Sequence, residues 1–155
     1  MKLGRAALAF VGLLPWGRAL LDHELPASWN LAVDQAFVAV CHHLPERTLT
    51  LHGVRMCVCS RCAGVYAGFL LAALWPIGLL PARRTLKLAL EIGLVTMAID
   101  IVTQDLALHS PWHAVRLASG VWVGATLAAW TLSETSRQRF SATASRAKES
   151  ALASA

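Results

Sequence analysis

Four cysteines and two adjacent histidines fall between residues 41 and 62, as Cys41-His42-His43-Leu44-Pro45-Glu46-Arg47 and then Cys57-Val58-Cys59-Ser60-Arg61-Cys62. Thiolates and imidazoles are ligands for zinc and softer ions, and a Cys-x-x-Cys pair is equally a unit of thiol–disulfide exchange. The spacing admits both chemistries. A plainer reading is two structural disulfides in an oxidising compartment. Against it, Cys57 and Cys59 are too close in sequence to bond without strain. A Cys59–Cys62 bond would close a loop too small to stabilise much.

In the metal reading the expected ligands are Cys41, His42, Cys59 and Cys62. Three thiolates and an imidazole suit a tetrahedral ion, zinc first, with copper(I) or iron behind it. His42 is preferred over His43 and His52 because it neighbours Cys41, while His109 and His113 lie in a second loop. Four protein ligands would close the site and make it structural. Without His42 a position opens, and Asp100 with Arg116 would then support hydrolysis or anion binding. Whether the chain is an enzyme is not decided by these residues.

The elements that must carry these groups follow from composition. The chain of 155 residues is 56% hydrophobic and only 15% charged, with mean hydropathy +0.53. A soluble domain carries about 25% charged residues, so the expected partner is the lipid bilayer. Four segments approach the ~20 residues of a spanning helix: 3–21, 62–80, 86–102 and 114–132. The expected architecture is an all-α four-helix membrane bundle, residues 1–133, with an outer loop at 22–61 and a tail at 134–155.

The net charge of +5 does not point to nucleic acid, because the basic residues gather at segment ends instead of along one face. Lys2 and Arg5, then Arg83, Arg84 and Lys87, then Arg137, Arg139, Arg146 and Lys148 fall on one side if the chain crosses four times. The positive-inside rule makes that side cytoplasmic, with both termini inside and the Cys/His loop extracytoplasmic on an inner plasma membrane. Lys2 and Arg5 before an apolar run also fit a secretory signal, but no small-x-small cleavage site follows, so this helix is expected to be retained.

Within the outer loop, Val33, Ala36, Phe37 and Val40 recur at helical spacing after Pro26. They predict a short amphipathic helix, stopped by Pro45, that delivers Cys41 and His42 at its end. Alternation in 48–51 and 54–58 about His52-Gly53 predicts a β-hairpin that returns Cys57 and Cys59 towards Cys41. Strict alternation would put those two cysteines on one face. Cys59 and Cys62 then stand at the start of the second span, where free N–H groups and the helix dipole favour a thiolate.

Asp100 and Gln104 are one turn apart, and Arg116 is the expected partner of Asp100. A carboxylate within a span usually faces a partner or a cavity. Arg18 with Asp22, and Lys87 with Glu91, are spaced to pair along a helix. Gly64-x-x-x-Gly68 and Gly120-x-x-x-Gly124 predict close helix approach that would draw Cys62 and Arg116 to one end of the bundle.

The pattern Cys41-His42-x-x-Pro45-x-Arg47, Cys59-x-Arg61-Cys62-x-Gly64-x-Tyr66-x-Gly68, Asp100-x-x-x-Gln104 and Arg116-x-x-x-Gly120 resembles the small predicted membrane proteins grouped as domain of unknown function 2085. The resemblance spans roughly residues 37–124. It implies that Cys41, His42, Cys59, Cys62, Asp100 and Arg116 belong to a shared pattern, and it brings no activity. Cys57 lies outside that pattern, and Thr48 stands where a serine is often found.

A layout of four helices with Cys-x-x-C at an outer helix mouth is also similar to quinone-linked disulfide-forming enzymes. In that alternative Cys59–Cys62 faces a quinone, Cys41–Cys57 is the shuttle, and Arg61 or Arg116 polarises the cofactor or thiolate. A scaffold or small-solute transporter is the third reading. No span is centrally broken as transporters require, although a homo-oligomer would relax the limit of a small bundle.

Overall fold

The structure, a computed structural model, describes residues 2–41, 44–76, 80–106 and 112–153. These form α1 (Lys2–Leu20), α2 (Ala27–Val38), a short 3₁₀ turn (Pro45–Arg47), β1 (Thr48–Leu51), β2 (Val54–Cys59), α3 (Ser60–Leu74), α4 (Arg83–Asp105) and α5 (His113–Ala153). The chain is mostly helical, with one strand pair.

Helix α2 begins where Pro26, at φ −56°, sets the entry. Its Val33 and Phe37 are buried, and the Cys41 N–H still donates to Phe37 O at 2.9 Å, so the helix's last turn places Cys41. The hairpin turns at His52 (φ 48°) and Gly53 (φ 81°). Two consecutive left-handed residues form the primed turn whose twist matches paired strands.

The register corrects one expectation. Leu51 faces Val54 and Thr50 faces Arg55, but Thr48 faces Cys59, so β2 bulges between them. A bulge breaks the alternation of side chains. Met56, Cys57 and Val58 are therefore buried in succession, and Cys57 and Cys59 do not share one face. Cys57 instead lines a cavity with Arg18, Asp22 and Asp34.

The helices align around matched glycines. A Cβ on Gly64 would lie 2.3 Å from Leu117 O, and one on Gly68 2.5 Å from Val121 O. Facing them, a Cβ on Gly120 would lie 2.3 Å from Arg61 O and one on Gly124 2.2 Å from Val65 O. Both series climb together, so α3 and α5 run parallel in backbone contact, as the paired small residues predict. Gly120→Ala must force these backbones apart. Overpacking of this kind costs about 1–3 kcal/mol, and a thermal melt in detergent is expected to show the loss.

Helix α1 runs antiparallel to α3. Gly12 abuts Tyr66 O and Leu70 N, Arg5 Nε donates to Ala73 O at 2.7 Å, and Trp16 Nε1 donates to Ala63 O at 3.2 Å. Helix α4 runs antiparallel to α5 through Trp122 Nε1, which donates to Ala89 O at 2.8 Å, and an Arg83–Glu134 ion pair at 2.6 Å. Arg5, Arg83 and Glu134 thus share one end of the bundle. The hairpin and cysteines occupy the other, over a core that includes Ala19, Val33, Phe37, Met56, Val58 and Ala63.

Among the described residues, one helical segment, His113–Gln138 of α5, is long and apolar enough to cross a bilayer. Helix α3 has 15 residues and is capped at Trp75. At ~1.5 Å per residue it reaches about 22 Å, short of a ~30 Å hydrocarbon core. Helix α1 carries Lys2, Arg5, Pro15 and Arg18, and α4 carries Arg83, Arg84, Lys87, Glu91 and Asp100. Helix α5 also runs on past residue 132 to Ala153.

Candidate functional site

Three elements converge on one triangle of sulfur. Cys41 follows α2, Cys59 ends β2, and Cys62 lies in the first turn of α3. Their Sγ atoms all lie within 4.8 Å of one another. Sulfurs at ~2.3 Å from a tetrahedral zinc stand about 3.8 Å apart, so closure of at most about 1 Å would seat an ion. No disulfide joins the four cysteines in this structure, and Cys41 and Cys57 are buried. His42 and His43, as well as His109, lie outside the described residues.

The local electrostatics prepare a thiolate. Cys59 is held at about 5, chiefly by the hydrogen bond from the Cys62 thiol. Burial opposes this, while the Cys62 N–H, the Cys41 thiol and the Arg61 N–H add to it. The Cys59 N–H in turn donates to Cys41 Sγ at 3.1 Å. N–H groups directed at sulfur favour its charged form, which is the form that ligates. Cys57 behaves oppositely, pushed up to about 11 by burial and then by the Asp34 carboxylate. It is a buried thiol outside the triangle.

Beside the triangle lies a cavity of ≈ 330 Å³ whose lining includes Cys41, Cys59, Ser60, Cys62 and three arginines, Arg47, Arg61 and Arg116. Here the expected ion pair is rearranged. Asp100 pairs with Arg61, which approaches through Nη2 and through Nε at 2.9 Å, and Arg61 Nη2 also reaches Gln104 Oε1 at 3.1 Å. Arg61 sits at the start of α3, at the depth of Asp100 on α4, and so takes the carboxylate assigned by sequence to Arg116. Asp100 and Gln104 do share a face, as their spacing predicts.

Arg116 is only 1% exposed, and its Nε and Nη2 have no hydrogen-bond partner among the described residues. The Ser60 hydroxyl is likewise buried and unpartnered. Sequence reasoning passed over Ser60, whose one available signal was its place between Cys59 and Arg61. Elsewhere the local pairs form as spaced: Arg18 with Asp22, joined by Asp34 at 3.1 Å, and Lys87 with Glu91 at 3.7 Å.

Residues 41–130 match a family model described as a predicted membrane protein, DUF2085. An uncharacterized protein of Methanocaldococcus jannaschii is 31% identical over 110 residues, 66% of this chain and 68% of its own length. An uncharacterized protein of Methanothermobacter thermautotrophicus is 37% identical over 103 residues, 64% of this chain and 90% of its own. No solved structure matches. The matched region begins at Cys41 and takes in the whole cysteine triangle, Asp100, Gln104 and Arg116.

Proposed function

This chain belongs to the DUF2085 family of predicted membrane proteins, and from that premise we propose that it is a membrane protein whose Cys41, Cys59 and Cys62 hold a metal ion at one end of the helical bundle. The observation that carries this reading is the triangle of three sulfurs within 4.8 Å, drawn from three separate elements. Zinc fits the donor set best, and copper(I) or iron would accept the same thiolates. His42 is the fourth ligand in this reading, on its donor chemistry and its place next to Cys41 in sequence. A closed four-ligand site is structural. The ion would fasten the end of α2 and the hairpin to the start of α3, and so hold the wall of the arginine-lined cavity.

Multi-pass insertion is part of the proposal. The chain's apolar surface supports it: Leu88, Ile92, Val95, Ile99 and Val102 make an exposed stripe along α4. Such a stripe suits lipid. Short α3 would then span with the help of local bilayer thinning. The basic end of the bundle is assigned to the cytoplasm and the cysteine end to the outer surface.

One feature favours the alternative, a thiol–disulfide oxidoreductase: Cys59 and Cys62 stand with their sulfurs within 4.8 Å, and the Cys62 thiol favours the Cys59 thiolate. Cys57, which that relay would pair with Cys41, lies outside the triangle and lines a cavity with Arg18 and Asp34. Cobalt(II) substitution separates the two readings. Reconstitution with cobalt is expected to give an intense thiolate-to-metal charge-transfer band with tetrahedral ligand-field absorption, discharged by zinc. A spectrum of hexa-aqua cobalt alone would rule out the chelate.

A further inference from the structure

We propose that the cavity beside the cysteine triangle binds a phosphate-class oxyanion, held by Arg116 and Ser60 with Arg47 and Arg61 around it. The inference concerns the cavity's cationic wall and stands independently of the metal.

Three guanidinium groups from three elements line one ≈ 330 Å³ cavity: Arg47 from the 3₁₀ turn, Arg61 from α3 and Arg116 from α5. Arg47 and Arg61 are near enough to Arg116 to repel it, while Asp100 and Cys59 attract it. The carboxylate among these is already bonded to Arg61. Arg116 is left 1% exposed, with two nitrogens that donate to nothing among the described residues. Burying charged donors without acceptors leaves their desolvation cost unrecovered, and native interiors rarely tolerate it.

The same wall carries a second orphan, the Ser60 hydroxyl, which is fully buried. Ser60 and Arg116 are drawn to one place by the glycine contact of α3 with α5, where Gly120 meets Arg61 O. Guanidinium groups offer N–H forks and no acceptor, so the ligand that completes this wall has acceptor oxygens in several directions and a negative charge. A tetrahedral phosphate group fits that description better than a planar carboxylate. At the end of a membrane bundle it comes from a lipid headgroup or from free phosphate. The shared chemistry is the proposal, and the test separates the sources.

The full chain in a neutral detergent and a buffer free of multivalent anions is titrated calorimetrically with inorganic phosphate at fixed ionic strength. Parallel titrations use short-chain phosphatidylglycerol, zwitterionic phosphatidylcholine and acetate. Saturable binding of phosphate identifies a free anion, and binding of phosphatidylglycerol alone identifies a headgroup. Arg116→Gln is expected to abolish either.

Ser60→Ala keeps the fold test clean. It removes a hydroxyl with no partner among the described residues, so the melting temperature without ligand should stay level or rise, while affinity falls about tenfold, as for one charge-assisted hydrogen bond. Binding by neither phosphate nor phosphatidylglycerol overturns the proposal. So does binding that is unchanged in both variants, or acetate binding as well as phosphate. Metal content measured on the same samples reports the chelate separately, since Arg116→Gln should lose the anion and keep its metal.

Discussion

Cys59→Ser is expected to lose bound metal, with affinity reduced by at least about a hundredfold. Structural zinc sites contribute on the order of 10–16 kcal/mol. If four ligands share that, removing a thiolate costs roughly 3–4 kcal/mol, which is two to three decades in affinity. Cys59 is the member of the triangle most favoured as thiolate, because the Cys62 thiol and the N–H groups of Cys62 and Arg61 all point at its sulfur. Serine keeps the shape and removes the soft donor. Cys57→Ala is the matched control. Its thiol is buried outside the triangle, so metal content should stay at the wild-type level even where some stability is lost. A competition titration against a chromophoric chelator measures both variants. Equal loss in the two would mean that the bulged hairpin, and not the triangle, governs binding.

Asp100→Asn is expected to destabilise the cysteine end of the bundle by about 3–5 kcal/mol, the usual cost of leaving one partner of a buried ion pair uncompensated. Both side chains of the Arg61–Asp100 pair are only 11% exposed, and Gln104 adds a hydrogen bond to the same guanidinium. For a chain of this length the loss corresponds to a fall in melting temperature on the order of 10 °C. Pairing the change with Arg61→Met should recover most of it, because the stranded charge is removed as well. Thermal melts of the two single variants and the double variant supply the coupling. Additive losses would show that Asp100 serves some partner other than Arg61.

The hairpin was legible because two signals coincided, alternation in 48–51 and 54–58 and a His52-Gly53 pair fit for left-handed backbone. The meeting of α3 and α5 was legible too, since glycines four apart leave grooves that only another backbone fills. The bulge was not. It adds residues to β2 without any glycine or proline to mark it, and so the expectation that Cys57 and Cys59 share a face failed.

The partner of Asp100 was misassigned for a related reason. Spacing along one helix reveals which side chains share its face, but the choice between Arg61 and Arg116 depends on the relative depth of three helices. Hydropathy and helix length part company where a proline follows. Apolar residues run from 62 to 80, yet α3 stops at Leu74, two residues before Pro76. The meeting of Cys41 with Cys59 and Cys62 was anticipated from the path of α2 and the returning hairpin. His42, the expected fourth ligand, lies outside the described residues.

The most direct test of the central claim is metal analysis of the full chain purified in mild detergent, paired with a count of free thiols after denaturation with and without chelator. The account predicts zinc in a fixed ratio to protein, thiols that become fully titratable once the zinc is chelated, and no gain on adding reductant. Metal-free protein whose thiols come in pairs released only by reductant would contradict it and favour disulfide exchange at Cys59 and Cys62.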